Sequence, residues 1–208
     1  MKKAIKVLLV IVVLISLSSF AYSAPGFYAG GSVGFTSPND ADISDPDISF
    51  MSAEKGLSLG GFIGYSFANN FRLEGELVYQ GNDLDKMRIY GHDFDMTGDI
   101  SSAAMFANAY YDFNNSSRFT PFIGGGIGFS KVEVNDTGVI IGGVNYDLGD
   151  DSDTVLAYHL DAGVNYEINE RFSLDLKYRY FETENPDFSG TEIEYSSHNV
   201  YTGLRVSF

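Results

Sequence analysis

Eight segments of the chain alternate apolar residues with polar or small ones, and this pattern constrains the fold more than any other feature. Successive side chains of a β-strand point to opposite faces, so each segment predicts a strand with one apolar face. Transmembrane strands need about 9–11 residues, whereas strands of soluble proteins usually have about 5–6. The segments are long enough to cross a membrane, and they occupy residues 26–36, 57–67, 71–81, 101–113, 119–130, 154–168, 172–183 and the end of the chain.

The connections between these segments alternate in length. Short turns are predicted at 68–70, 114–118 and 169–171, and long polar loops at 37–56, 82–100, 131–153 and 184–196. Transmembrane barrels have short turns on the periplasmic side and longer loops outside. A soluble sandwich does not require this alternation, and few apolar residues recur at helical spacing. The sequence therefore predicts an all-β fold: an eight-stranded antiparallel up-and-down transmembrane β-barrel with short periplasmic turns and four long extracellular loops.

The last segment ends on a large aromatic residue of its apolar face. That face consists of Val200, Thr202, Leu204, Val206 and Phe208. In a closed barrel this strand pairs with the first one, at 26–36. Aromatic residues also cluster beside the predicted short turns, as expected for a girdle at the membrane interface; they are Tyr65, Phe67, Phe71, Tyr111, Phe113, Phe119, Tyr166, Phe172 and Phe208.

The N-terminus has the organisation of a secretory signal peptide. Lys2, Lys3 and Lys6 precede an apolar run over 7–17, which is followed by small residues. Cleavage after Ser23 satisfies the small-x-small rule, so we expect a signal peptide at 1–23 and a barrel domain at 24–208. An uncleaved anchor is the alternative, but the apolar run is short for a membrane helix of about 20 residues.

Charge and composition exclude one class of partner. The chain has 13 basic and 28 acidic residues and no cysteine. Without the three lysines of the predicted signal peptide, 10 basic residues remain, for a net charge of about −18. A nucleic-acid-binding protein needs basic residues to neutralise phosphates, so no nucleic-acid partner is expected. Without cysteine the fold has no disulfide and relies on hydrogen bonds and burial.

The inward face of the predicted barrel carries many charges. A barrel of eight strands is filled by side chains, and buried charges must be paired. Small inward residues on the first, second and fifth strands face long ones on the third, seventh and eighth. We therefore expect an ion-pair network in the lumen, which favours a plugged barrel over a conducting path. Its predicted members are Arg72, Glu74, Glu76, Asp112, Asp161, Asp175, Lys177, Arg179 and Arg205.

Two further patterns suggest ligand sites only weakly. The glycine-rich stretch 124–128 lacks the Lys-Ser/Thr ending of a phosphate-binding loop, and lumen filling explains it better. Acidic residues are concentrated in the predicted long loops, but none follows the calcium-loop pattern, so a solvated anionic surface is favoured. No cofactor and no metal site is predicted.

A serine, a histidine and glutamates near the end of the chain offer one hydrolytic arrangement. Ser196 and Ser197 precede His198, and Glu192 and Glu194 are close in sequence. Such a set can support hydrolysis of a lipid when its geometry is right. Nothing in the sequence determines that geometry, so no catalytic residue is assigned and the chain is not expected to be an enzyme.

The chain resembles a family of small outer-membrane β-barrels that are porin-like and similar to the OmpA transmembrane domain, the Opa-type barrels and bacterial surface antigens. The resemblance covers nearly all of the chain after the signal peptide. It is carried by GFYAGGSVGF at 26–35, LGGFIGYSF at 59–67, FRLEGELVY at 71–79, ANAYYDF at 107–113 and FTPFIGGGIGF at 119–129, followed by 157–180 and 197–208.

The resemblance implies a location in the bacterial outer membrane. It also implies that the terminal apolar row ending at Phe208 is the signal read by the barrel assembly machinery. No peptidoglycan-binding domain is expected after the barrel. Outer-membrane lipid and the assembly machinery are therefore the expected partners.

Three functions remain open at the level of sequence. The first is a non-enzymatic envelope protein that displays acidic loops to the environment or to host molecules. The second is a small diffusion pore, and the third is a lipid-modifying enzyme built on the same barrel. Fold alone does not choose among them.

Overall fold

Eight long antiparallel strands form the protein, in a computed structural model that describes residues 25–39, 41–42, 48–89, 92–141, 144–185, 187–188, 191–192 and 195–208. The predicted signal peptide lies outside these residues. The strands are β1 (Gly26–Pro38), β2 (Gly56–Ser66), β3 (Phe71–Ile89), β4 (His92–Asp112), β5 (Phe119–Ile141), β6 (Val144–Glu167), β7 (Phe172–Thr183) and β8 (Ser196–Ser207). Short strands at Ala41–Asp42 and Ile48–Ala53 lie between β1 and β2, and others at Asp187–Phe188 and Thr191–Glu192 lie between β7 and β8.

The eight strands close into a ring. Each strand pairs antiparallel with its neighbours along the chain. β1 also pairs with β8, in a register that runs from Tyr28↔Ser207 to Pro38↔Ser197. The predicted eight-stranded up-and-down barrel is confirmed. Among the described residues, no helix is both long and apolar enough to cross a membrane.

The outer face of the barrel is apolar and exposed. Phe35, Leu77 and Leu160 expose 69%, 63% and 67% of their surface. Soluble proteins rarely expose a continuous apolar band of this kind to water. Aromatic rings meet around the end with the short turns, where the ring centroids of Phe27 and Tyr65 are 5.0 Å apart. The same belt continues through the pairs Phe71–Tyr111 and Phe119–Tyr166. This arrangement is that of a lipid-facing wall with an aromatic girdle.

Two of the four predicted long loops are wrong. Residues 82–100 and 131–153 belong mostly to β-structure, because β3 continues to Ile89, β4 begins at His92, β5 continues to Ile141 and β6 begins at Val144. Beyond the lipid-facing band, most described apolar residues of these strands turn inward, although Val144 and Tyr146 stay exposed, and aspartates such as Asp83 point outward. Leu84, Met96, Ile100, Val132 and Val134 are buried there. The polar outward residues made the segments look like loops in the sequence.

Glycines on the inner face make room for large side chains on neighbouring strands. Tyr201 comes from β8, as the sequence predicted, whereas Tyr110 and Tyr28 come from β4 and β1, where no long inward residue was predicted. A Cβ atom added to Gly124 would lie 2.2 Å from the Tyr110 ring, and one added to Gly64 would lie 2.4 Å from Tyr28. Gly34 and Tyr201 are related in the same way, at 2.6 Å. The aromatic rings therefore fill space that any other residue would occupy.

Replacing an inward glycine is expected to destabilise the barrel, whereas replacing a lipid-facing one is not. Gly124→Ala forces Tyr110 and the Ala109 carbonyl to move, and overpacking of this kind costs about 1–3 kcal/mol. Gly75→Ala is the matched control, because its Cβ would meet only the Ile63 carbonyl oxygen, at 4.0 Å. Urea unfolding in detergent, followed by heat-modifiable gel mobility, measures both. Equal stability of the two variants would contradict the assignment of faces.

Candidate functional site in the barrel lumen

All nine predicted network residues lie on the barrel strands, with their side chains in the lumen. Three come from β3, one from β4, one from β6, three from β7 and one from β8. Inward residues recur at every second position along a strand, so the three on β3 and the three on β7 form columns. The register of the sheet places Asp161 directly opposite Arg179. The structure gathers eight of the nine residues into two layers, and Glu74 contacts Arg72 of the second layer.

The central layer joins two cations to two carboxylates. Arg179 Nη2 lies 2.6 Å from Glu76 Oε2, and Arg179 Nε lies 2.8 Å from Asp161 Oδ1. Lys177 Nζ lies 3.4 Å from an oxygen of each carboxylate. The Glu76 and Asp161 side chains have no exposed surface. Each charge of this layer therefore faces opposite charges and not lipid or open water.

Three uncharged or weakly basic side chains complete the central layer, and sequence reasoning did not assign them to it. Asn108 Nδ2 donates to Glu76 Oε2 over 2.8 Å, and Tyr110 Oη donates to Asp161 Oδ2 over 2.9 Å. His159 Nδ1 lies 3.0 Å from Asp161 Oδ1, and its Nε2 lies 3.0 Å from Asn108 Oδ1. The available signal was their inward position, two residues from a predicted member for Tyr110 and His159 and four for Asn108.

The second layer lies nearer the periplasmic end and consists of two separate pairs. Arg72 Nε lies 2.8 Å from Asp112 Oδ2, and Arg205 Nη2 lies 2.8 Å from Asp175 Oδ2. The Asp112, Asp175 and Arg205 side chains retain 11–13% of their exposure, unlike Glu76, Asp161 and Arg179 of the central layer. The planar guanidinium groups also cover aromatic rings: that of Arg72 lies 4.5 Å from the centre of Tyr110.

The charges of the nine residues almost balance. Four cations face five carboxylates, and Glu74 has the longest ion pair, with Arg72 Nη1 at 3.8 Å. Tyr28 Oη donates to Glu74 Oε2 over 3.0 Å, and Asn108 Nδ2 contacts its other oxygen at 3.4 Å. Neutral donors therefore stabilise the carboxylate that has the weakest contact with a cation.

An apolar cluster fills the lumen on the extracellular side of the charged layers. It includes Val132, Ala157, Phe106 and Phe181, all of which are buried. The Phe106 ring packs edge-to-face on His159, with centroids 4.8 Å apart, and so connects the cluster to the central layer. On the opposite side the lumen widens into a polar periplasmic mouth of about 320 Å³. The lumen is therefore filled above the charges and open below them.

The predicted assembly signal lies on the outer face of the barrel. Val200 and Leu204 are half exposed on the lipid side of β8, on the same face as Thr202 and Val206. The Phe208 amide donates to the Phe27 carbonyl oxygen over 2.9 Å, so the end of the chain is tied to β1. Its role in recognition by the assembly machinery stays a prediction.

Ser197 and His198 of the predicted hydrolytic set lie on opposite faces of β8. Ser197 is buried on the inner side of β8, whereas His198 is exposed on the outer side. His198 Nδ1 instead lies 2.6 Å from Tyr178 Oη. Glu194 lies outside the described residues. Across the described ranges, no group of three or more His, Asp or Glu side chains could hold a metal ion, and the glycine stretch 124–128 lies within strand β5.

Loss of the central arginine is expected to cost far more stability than loss of an exposed lysine. Arg179→Met leaves Glu76 and Asp161 buried with only Lys177 as a cation, and breaking a buried pair costs about 3–5 kcal/mol. Lys131→Met is the matched control, because Lys131 pairs with Glu133 on the surface, where such pairs contribute at most about 1 kcal/mol. Urea unfolding in micelles gives both values. Similar values would mean that the layer does not stabilise the lumen.

Comparison with known proteins agrees with this architecture. The outer membrane protein beta-barrel domain family matches residues 7–208. The outer membrane protein PagN of Salmonella typhimurium is 26% identical over 92% of this chain and 89% of its own length. Neisserial surface protein A has a TM-score of 0.58 at 21% identity, covering 91% of this chain and all of that one. OprG of Pseudomonas aeruginosa has a TM-score of 0.59 at 17% identity, covering 90% and 98%.

The two solved structures show the fold, and the family match spans nearly the whole sequence. The chain belongs to the outer membrane protein beta-barrel domain family and is a protein of the bacterial outer membrane.

Proposed function

We propose that this protein is a non-enzymatic, non-conducting barrel that anchors an extracellular β-extension for contact with environmental or host molecules. The observation that carries the proposal is the combination of a filled lumen with strands that continue far beyond the lipid-facing band. A filled lumen offers no route for solutes. The extended strands offer a rigid surface outside the membrane.

The filling of the lumen supports the non-conducting part of the proposal. A pore needs a continuous aqueous path, as in barrels of more strands. Here a path would have to cross the central layer of Glu76, Asp161 and Arg179 and then the apolar cluster around Val132. Both regions have almost no exposed side-chain surface. The polar periplasmic mouth therefore serves as a recess and not as the entrance of a channel.

The length of the extension supports its role in contact. From Phe71 to Tyr79, β3 covers the lipid-facing band in roughly 26 Å of strand, at about 3.3 Å per residue. It then continues from Tyr79 to Ile89 for roughly 33 Å more, and β6 extends from Tyr158 back to Val144 for roughly 46 Å. The outside part is longer than the part in lipid, which mere membrane anchoring would not require.

The surface of the extension is acidic. Asp83, Asp95, Asp136 and Asp150 are exposed on the strands beyond the band. The buried residues beneath them, such as Met96 and Val134, keep the surface in one shape. A rigid anionic surface is complementary to cationic patches on another molecule. We therefore expect a partner with a basic surface.

The purified protein is expected to be silent in a planar bilayer. A large general porin inserted under the same conditions is the positive control, because its wide lumen conducts. Steady ion-selective current steps from the protein would contradict the non-conducting assignment and favour the small pore.

Shortening the β5–β6 hairpin is expected to reduce adhesion without affecting the barrel. Val134 and Asp151 are register partners, so residues 135–150 can be replaced by an Asn-Gly turn. Bacteria that express this variant should bind less well to polylysine-coated beads and to epithelial monolayers than those with the original chain. Heat-modifiable mobility of the variant shows that the barrel still folds.

A charge-matched control separates shape from charge in that experiment. Asp136→Asn combined with Asp147→Asn and Asp150→Asn keeps the hairpin and removes the same three negative charges as the shortened variant. Reduced binding to beads in this variant indicates an electrostatic contact, whereas normal binding indicates that the shape of the hairpin matters. Unchanged adhesion of the shortened variant would overturn the proposed contact role.

A further inference from the structure

A small cavity of about 20 Å³ lies in the lumen beside the periplasmic layer of charges. Ser32, Arg72 and Arg205 line it, together with aromatic rings such as Phe62 and Tyr201. The cavity is separate from the periplasmic mouth, but Arg205 lines both. It lies between the Arg72–Asp112 pair and the Arg205–Asp175 pair, which do not contact each other directly in any described bond.

Three polar atoms of the residues that line this cavity are buried and have no protein partner. They are Ser32 Oγ, Arg72 Nη2 and Arg205 Nε. Arg72 is only 2% exposed. Guanidinium nitrogens donate and cannot accept, so two of the three atoms require an acceptor. Buried donors without an acceptor are rare in folded proteins, and three around one cavity indicate a bound species.

We propose that the cavity is a hydration site that binds one ordered water molecule. The water oxygen accepts from Arg72 Nη2 and Arg205 Nε, and one water hydrogen is donated to Ser32 Oγ. Its second hydrogen has Glu74 or Asp175 as acceptor, since both line the same cavity. A water needs about 10–15 Å³ and two to four polar partners, and this site supplies both.

The charge of the lumen selects water over a small anion. The cavity is lined by three cations, Arg72, Lys177 and Arg205, and by the carboxylates Glu74 and Asp175, and Asp112 pairs with Arg72 beside it, so these charges already balance. A halide would add a further negative charge in a place of low dielectric, where uncompensated charge is costly. A cation would face the two guanidinium groups. Water is neutral and can both accept and donate, so it satisfies the three unpartnered atoms without adding charge to the lumen.

The position of the site determines the side from which water reaches it. Arg205 separates the cavity from the periplasmic mouth, and its side chain retains 11% of its exposure. The central layer and the apolar cluster lie on the opposite side. Water therefore exchanges with the periplasm, and the bound molecule connects the charges of β3 and β4 to those of β7 and β8.

Substitutions at Gly203 test the site, because this inward glycine lines the cavity. A Cβ atom there would lie 3.4 Å from the Gly31 carbonyl oxygen and 3.6 Å from Ser32 Cβ, so alanine and serine both fit. Gly203→Ala places a methyl group, which cannot accept, where the water lies. Gly203→Ser places a hydroxyl group there. Gly31→Ala is the control on the lipid side, with its Cβ at 3.5 Å from the Gly60 carbonyl oxygen.

We expect Gly203→Ala to unfold about tenfold faster than the original chain at one urea concentration in micelles, because the displaced water leaves two donors unpaired. Gly203→Ser and Gly31→Ala should stay within about threefold of the original chain. A high-resolution crystal structure should show a solvent peak in the original chain and none in Gly203→Ala. Absence of the peak, or equal rates for Gly203→Ala and Gly203→Ser, would overturn the proposal. An anomalous peak at the site in bromide-soaked crystals would show that the site binds an anion and would also overturn the proposal.

Discussion

The pairing of β1 with β8 is the interaction on which the rest of the structure depends. In hydrocarbon, every backbone amide and carbonyl must find a partner within the protein, and a β-sheet satisfies them all only when it is closed. The register from Tyr28↔Ser207 to Pro38↔Ser197 closes the ring, and the Phe208 amide extends the pairing to Phe27. Because the ring has only eight strands, its lumen is too narrow for a wide aqueous channel and is filled by side chains.

Because many of the side chains that fill the lumen are charged, each must be paired with an opposite charge, and the partners come from different strands. Arg179 and Lys177 on β7 neutralise Glu76 on β3 and Asp161 on β6, so the layer ties three walls of the barrel. Glycines such as Gly124 allow Tyr110 to lie flat against the opposite backbone. The same contacts thus pair the buried charges and fill the lumen. Under the proposed function, the contact surface lies on the extended strands outside the membrane.

Side chains alternate between the two faces along the whole of each long strand, but most of the apolar residues lie on the outer face in the lipid band and on the inner face beyond it. Within the lipid band, Leu77 and Ile127 point outward and Glu76 points inward, whereas beyond it Met96 and Val132 point inward. The sequence pattern predicted the first arrangement correctly, because an apolar face in lipid is continuous and ends in aromatic residues. The predicted loops at 82–100 and 131–153 were wrong, because interspersed aspartates and register shifts, between Asp83 and Lys86 in the first and between Val134 and Thr137 in the second, obscure the period there.

The sequence alone determined the number of strands, the face of each residue in the lipid band and the identity of the nine inward charged residues. All of these follow from alternation, which is a local property of an extended chain. Only the tertiary structure decided which charges meet, because Arg179 and Glu76 are separated by 103 residues and are joined by the register of several strands. It also placed His159 and Asn108 in the central layer and turned the outer hairpins into strands, since these depend on pairing across the barrel and not on neighbours in sequence.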